Sequence, residues 1–270
     1  MAAPVRTVFA TVFASLLMPA FVGCKRPEDT SAFAHERLVV FAASSLRDAF
    51  TTIGADWQRL HPGQEVVFNF AGTQALRTQI EHGASADIFA AADMHHADAL
   101  QKAGLVTSHV VFARNEPVIV VAKESVNTIR RFGDLPNAER IVLGVPEVPI
   151  GRYALQILVR ASVELGTEFY ARVQSKVVSR ELNVRQVLTK VNLGEADAAF
   201  VYRSDAMAAG ATLSVVAVPP EFNVIADYPI AVVQASTHAL RARDWIAYVL
   251  SDAGQRTLHL AGFRVAGATP

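Results

Sequence analysis

The chain has 270 residues, which is enough for two domains of ordinary size. Its composition, 51% hydrophobic and 19% charged, allows a substantial core and excludes an intrinsically disordered chain. Lys plus Arg and Asp plus Glu are balanced at 25 each, which argues against a nucleic-acid-binding protein, because such proteins usually carry an excess of basic residues.

The first 24 residues are predicted to be an export signal. Arg6 precedes an apolar or small run over 7–23, which is shorter than the ~20 residues of a comfortable membrane span. The run ends in FVGC (21–24), which is similar to the lipobox of bacterial lipoproteins, where the cysteine is acylated and becomes the first residue. We therefore expect a lipid anchor at Cys24; a plain signal peptide with a chance cysteine and an uncleaved anchor are the alternatives. The polar residues 25–36 would form a tether.

After the tether, short apolar runs typical of strands alternate with amphipathic helical patterns. In the first helical pattern Leu46, Phe50, Ile53 and Trp57 share one face. The predicted strands are 38–42, 65–70, 87–91, 118–122, 141–145, 198–202, 214–218 and 230–233. The predicted helices are 46–60, 76–82, 95–103, 153–165, 184–193 and 243–260.

This alternation predicts an α/β fold with mostly parallel sheets, and the chain length predicts two lobes. Proline and polar residues cluster near 112–117 and 219–229, where we expect the chain to cross between lobes. Lobe one would then comprise 37–114 and 227–270, and lobe two 115–226. A ligand would bind in the cleft between the lobes, where strand ends meet helix starts.

Several segments place a strand end or a loop directly before a helix start, where unpaired N–H groups and the positive end of the helix dipole can bind an oxyanion without a cationic side chain. Ser45 and Thr73 would add hydroxyl donors, and Tyr202 can point its hydroxyl into the cleft. Gly72 and Gly151 allow the backbone to approach a ligand closely. Donors without acceptors favour a fully deprotonated dianion. The segments are 41–46, 70–76, 146–153, 182–185 and 200–205.

Each of these features also has an ordinary structural interpretation. For example, a serine before a helix is most often an N-cap. Three arginines near the segments, Arg47, Arg152 and Arg185, are expected on solvated helix faces rather than on the anion. His95 and His96 do not predict a metal site, because adjacent helical residues point in different directions and no spaced ligands accompany them.

Taken together, the segments resemble the periplasmic molybdate-binding proteins of bacterial ABC transporters. The resemblance spans residues 38–263 and implies a two-lobed, type II periplasmic-binding-protein-like fold. It rests on VVFAASSL (39–46), NFAGTQALRTQIEHGASADIFAAAD (69–93), VPEVPIGRYA (145–154), NVRQVLTKVNLGEADAAFVYRSDA (183–206) and YPIAVV (228–233).

The resemblance also implies a ligand shell. Carried over position by position, Ser45 donates its hydroxyl and N–H, and Thr73 stands where the family generally has a second serine. Ile150 and Val184 would each donate a backbone N–H, and Tyr202 would donate its hydroxyl. The ligand would be molybdate or tungstate, held as an oxyanion without direct coordination of the metal and without a cofactor.

The resemblance further implies a non-enzymatic, monomeric protein in the periplasm or on the outer face of the membrane, with a membrane permease as partner and no nucleic acid. Binding of another oxyanion, such as sulfate or phosphate, is the open alternative. A hydrolase is disfavoured because no G-x-S-x-G elbow is present. A porphobilinogen deaminase would need a cysteine-linked cofactor, but the only cysteine is Cys24. A transcription regulator would carry a helix-turn-helix where this chain has an export signal.

Overall fold

The structure, a computed structural model, describes residues 36–265. The predicted signal peptide (1–24) with Cys24 and the predicted tether up to residue 35 lie outside the described residues, so cleavage and lipid attachment stay predictions. In the described range, no helix is both long enough and apolar enough to cross a membrane.

The strands and helices follow the predicted alternation. The strands are β1 (Glu36–Ala43), β2 (Gln64–Ala71), β3 (Ile88–Ala90), β4 (Val110–Asn115), β5 (Pro117–Val121), β6 (Ile141–Gly144), β7 (Val177–Glu181), β8 (Ala198–Tyr202), β9 (Ser214–Ala217), β10 (Ala226–Val232) and β11 (Arg264–Val265). The α-helices are α1 (Arg47–Leu60), α2 (Thr73–Glu81), α3 (Met94–Lys102), α4 (Pro149–Leu165), α5 (Glu168–Gln174), α6 (Val184–Asn192), α7 (Arg203–Ala209), α8 (Ala239–Leu250) and α9 (Asp252–Leu260). Short 3₁₀ turns cover Ser44–Leu46, Lys123–Ser125, Phe132–Asn137 and Gly210–Thr212.

Two sheets organise residues 36–265. The first has the strand order β11-β4-β10-β3-β1-β2, and the second has the order β7-β6-β8-β5-β9. The prediction of mostly parallel sheets is wrong, because only four of the nine strand pairings in this range are parallel. An apolar run predicts a buried strand but not its direction, and the strands that carry the chain into and out of each sheet pair antiparallel to their neighbours.

The chain crosses between the sheets at two places that lie side by side. Strand β4 ends at Asn115 and β5 begins at Pro117, so only Glu116 connects the two sheets there. The return runs over 218–225, between β9 and β10. Asn115 pairs with Ala226 across the two crossing strands. The borders between the sheets therefore fall beside the predicted lobe borders, and movement of the lobes as separate bodies stays a prediction.

The core of the first sheet fixes helix α1 and, with it, the turn that carries Ser45. Leu46, Phe50, Ile53 and Trp57 are at most 1% exposed, as their shared helical face predicts. The Phe50 ring packs edge-on against Trp245 of α8, with ring centroids 5.0 Å apart.

The structure differs from the predicted elements where local signals compete. Helix α4 begins at Pro149 rather than 153, because proline suits the first position of a helix. The predicted last helix is two helices that meet at Ser251, whose hydroxyl accepts a hydrogen bond from the Gly254 N–H (3.4 Å). Strand β7, which the prediction omits, is a partly exposed strand of sequence VVSRE with no continuous apolar run.

Candidate functional site

A small cavity lies where helix starts on the two sheets face each other. Its volume of about 10 Å³ holds on the order of one water-sized sphere, far below the size of ordinary pockets for organic ligands, so it suits a small ion. Its walls are 43–45, 71–73 and Ala92 on the side of the first sheet, and 148–150, 183–184 and Tyr202 on the side of the second. The cavity therefore brings together all the residues predicted to hold the ligand: Ser45, Thr73, Ile150, Val184 and Tyr202.

Ser45 lies in the 3₁₀ turn that precedes α1 and is 2% exposed. The ordinary interpretation of this serine as an N-cap is wrong, since no side chain caps either the turn or α1. Its hydroxyl instead forms a hydrogen bond with the Tyr228 hydroxyl at 2.9 Å. Ser45 is thus held by a partner from β10 while it lines the cavity.

Thr73 is the first residue of α2, and its side chain is almost fully buried. The Ala92 N–H donates a hydrogen bond to the Thr73 hydroxyl oxygen at 3.2 Å. Because the oxygen accepts there, the hydroxyl hydrogen is available to a ligand in the cavity. A side chain at the preceding Gly72 would collide with the Leu182 carbonyl oxygen, so glycine permits this close approach of the two sides.

Ile150 and Val184 contribute helix starts from the second sheet. Ile150 follows Pro149 in the first turn of α4, and Val184 is the first residue of α6. The Asn183 side chain caps α6 by accepting a hydrogen bond from the Gln186 N–H at 3.0 Å. The N–H groups of Ile150 and Val184 belong to first turns, where the helix offers them no acceptor. Both ends add positive dipole potential to the cavity.

Tyr202 ends β8 and is 1% exposed. Its hydroxyl has no hydrogen-bond partner among the described residues, although it lines the cavity. Burial first, and then the neighbouring Tyr228 hydroxyl, raises the pKa of Tyr202 well above its ordinary value, so the hydroxyl stays protonated and can donate. An unpaired buried hydroxyl costs about 1–3 kcal/mol, and a ligand that accepts from it would remove this cost.

The described wall of the cavity contains no lysine or arginine. Nearby, Arg152 forms an ion pair with the buried Asp93, and Arg185 forms ion pairs with Asp48 and with Asp205 (2.9 Å). The expectation that Arg152 and Arg185 lie on solvated helix faces is therefore wrong. Burial raises the pKa of Asp205 to about 6, against the opposing effect of the Arg185 guanidinium.

Sequence reasoning missed four of the contacts that join the two sides around the cavity. Two are the ion pairs of Arg152 with Asp93 and of Arg185 with Asp48. In the other two, Gln74 Nε2 donates to the Leu182 carbonyl (2.7 Å) and His96 Nε2 donates to the Glu147 carbonyl (3.1 Å). Each contact joins residues from different segments, so no local pattern could have indicated it.

His96 thus bridges the cleft through its side chain. Burial lowers its pKa, which favours the neutral ring. Over residues 36–265, no group of three or more His, Cys, Asp or Glu side chains is placed to hold a metal ion.

Comparison with known proteins places the chain in a family. The family model described as bacterial extracellular solute-binding protein matches residues 38–264. The chain is a member of that family. This solute-binding protein is 40% identical over 228 residues to the molybdate-binding protein ModA of Mycobacterium tuberculosis, covering 84% of both chains. It is 31% identical over 238 residues to the ModA of Haemophilus influenzae, covering 85% of this chain and 91% of that relative. The resemblance inferred from the motifs is confirmed.

Solved structures show the same fold. The periplasmic molybdate-binding protein of Azotobacter vinelandii superposes on the solute-binding protein with a TM-score of 0.75 at 19% identity, covering 85% of this chain and 99% of that one. The sulfate-binding protein SubI of Mycobacterium tuberculosis has a TM-score of 0.76 at 20% identity, covering 87% and 88%. The predicted type II periplasmic-binding-protein fold is confirmed.

Proposed function

We propose that this protein binds molybdate or tungstate as the extracytoplasmic solute-binding component of an ABC transporter. The observation that carries the proposal is the Tyr202 hydroxyl, which is buried, without a partner among the described residues, and part of the cavity wall. A buried donor of this kind needs an acceptor, and an oxyanion provides one. The relatives named molybdate-binding proteins support the choice of anion.

The proposed ligand shell consists only of hydrogen-bond donors. Ser45, Thr73 and Tyr202 offer hydroxyl hydrogens, and Ile150 and Val184 offer backbone N–H groups. Such a shell stabilises a dianion through hydrogen bonds to a charged acceptor and through two helix dipoles. It disfavours hydrogen phosphate, whose own O–H would find no acceptor.

Closure of two lobes around the anion is part of the proposal. The chain crosses between the sheets at Glu116 and over 218–225, and these segments would act as the hinge. Ser45 and Thr73 lie on one side of the cavity, and Ile150, Val184 and Tyr202 on the other. Only a closed form brings both donor sets to one anion, so the ligand would shift the protein toward that form.

The partner and the location follow from the same function. A membrane permease would receive the anion, and the protein would act as a monomer in the periplasm or on the outer face of the membrane. Acylation at Cys24 would tether it there, after removal of the signal peptide.

Calorimetric titration of the mature protein with molybdate, tungstate, sulfate and phosphate tests the choice of anion. Molybdate and tungstate should bind with similar affinity, because their size and charge are nearly equal. Sulfate carries the same charge but is smaller, so it should bind much more weakly. Equal affinity for sulfate and molybdate would favour a sulfate-binding protein, a possibility that the fold of SubI keeps open.

The Tyr202→Phe variant tests the site. The loss of one hydrogen bond to a charged ligand should cost roughly 1.5–3 kcal/mol, or about 10- to 150-fold in the Kd for molybdate. The ligand-free melting temperature should not fall, because the removed hydroxyl has no partner in the described structure. Tyr248→Phe, on α8 and away from the cavity wall, is the matched control. Parental affinity in Tyr202→Phe would place the anion elsewhere.

A further inference from the structure

A fully buried chain of polar side chains lies behind Ser45. The Tyr228 hydroxyl is 2.9 Å from the Ser45 hydroxyl. The Asn115 side-chain amide donates to the Ser204 hydroxyl at 2.8 Å and to the Tyr228 hydroxyl at 3.5 Å. Tyr228 and Asn115 are 0% exposed, so water cannot substitute for the partners of these two side chains, and Ser204 is 4% exposed.

The hydrogen bonds of this chain have one favoured direction. The side-chain oxygen of Asn115, Oδ1, accepts a hydrogen bond from the Glu116 N–H at 2.9 Å. The side-chain nitrogen, Nδ2, is therefore turned toward Tyr228 and Ser204. An amide nitrogen donates and does not accept. The Ser45 hydroxyl is the partner at 2.9 Å that can accept from Tyr228, and donation in this direction leaves no buried donor unpaired.

This direction decides what Ser45 can do in the cavity. Its oxygen accepts from Tyr228, so its own hydrogen is left for the cavity that Ser45 lines. We infer that Tyr228 is a positioning residue, which holds the Ser45 hydroxyl as a donor to the anion. The inference rests on the proposed function, and it gives the reason why Ser45 acts as a hydrogen-bond donor in the proposed site.

The surroundings of Tyr228 make this role testable. Its ring packs edge-on against Phe263 (centroids 5.3 Å apart), Phe112 (6.4 Å) and Tyr202 (5.7 Å). Tyr228→Phe keeps these aromatic contacts and removes only the hydroxyl. Asn115 retains Ser204 as its acceptor in this variant, so the fold should persist.

The experiment is a set of molybdate titrations in three backgrounds. In the parent, Tyr228→Phe should weaken binding roughly three- to tenfold, the effect of one net hydrogen bond. In the Ser45→Ala background the same change should weaken binding less than about twofold, because the residue through which it acts is gone. In the Thr73→Val background, where Ser45 is intact, the roughly three- to tenfold loss should return. Thermal melts of the ligand-free variants check folding.

The outcomes separate the inference from the proposed function. An equal loss in all three backgrounds would show that Tyr228 acts through general packing, and no loss in the parent would show that it does not act on the site; either result overturns the inference alone. If Ser45→Ala and Thr73→Val both bind molybdate like the parent, the proposed site is wrong and the inference falls with it.

Discussion

Thr73 would have two roles at the edge of the cavity if it binds the anion as proposed. Its hydroxyl oxygen accepts the buried Ala92 N–H at 3.2 Å, and its hydroxyl hydrogen is left for the ligand. Thr73→Ser preserves both roles, so molybdate affinity should stay within about twofold of the parent. Thr73→Val has nearly the same shape but leaves the Ala92 N–H unpaired, which should cost about 1–3 kcal/mol of stability together with a tenfold or greater loss of affinity.

Chemical denaturation and titration of the two variants separate these effects. The serine variant is the matched control, because it differs from threonine only by the methyl group. A valine variant that binds molybdate like the parent would show that the Thr73 hydroxyl does not reach the anion.

At the scale of single residues, the sequence predicts the side chains that line the cavity but not those that support them. Ser45, Thr73 and Tyr202 could be named because each precedes or follows a recognisable strand or helix end. Tyr228 lies in the motif YPIAVV, where nothing local indicates a hydrogen bond to a residue 183 positions away. Supporting contacts of this kind depend on tertiary packing, which motif spacing does not encode.

At the scale of elements, the close packing of α4 against the end of β6 sets the position of the Ile150 N–H. A methyl group on Gly151 would lie 2.7 Å from the Gly144 carbonyl carbon and still closer to the carbonyl oxygens of Gly144 and Val145. Since these atoms belong to the backbone, Gly151→Ala should push the start of α4 away from the strand. We expect a loss of stability of about 1–3 kcal/mol and a loss of molybdate affinity of tenfold or more.

Gly133→Ala is the matched control, because a methyl group at Gly133 meets nothing within 4 Å. This control should melt and bind molybdate like the parent. If Gly151→Ala also behaves like the parent, the start of α4 is not fixed by the contact with β6.

Most elements could be predicted from hydrophobic periodicity, and the starts of α2, α4 and α6 could be placed to within a few residues, but the short or partly exposed elements β4, β7, β11, α5 and α7 could not. Strand direction could not, because a buried strand has the same apolar run in either orientation. The sequence pattern places β4 in a crossover, since ARNEP (113–117), which overlaps the end of this strand, contains the charged and proline residues of a connection.

At the scale of the whole molecule, the contacts across the cleft should set how long the anion stays bound. The two-lobed arrangement could be anticipated from chain length and crossover composition, but its closing contacts could not, since they join distant segments. Among them, Gln74 is informative because it is neutral: its amide donates to the Leu182 carbonyl on the opposite side at 2.7 Å. Replacing Gln74 with another neutral residue changes a contact between the two sides without changing the net charge near the anion.

Gln74→Leu should therefore make molybdate dissociate roughly two- to tenfold faster, the effect of one lost hydrogen bond in the closed form, while association changes little. Gln79→Leu is the matched control on the same helix, since Gln79 accepts a hydrogen bond from Asn69 (2.7 Å), which lies on the same side of the cleft. Stopped-flow measurements of binding and release distinguish the two variants. Equal dissociation rates for Gln74→Leu and the parent would show that the hydrogen bond between Gln74 and Leu182 does not stabilise the closed form. Faster release from both variants would point instead to a general weakening of α2.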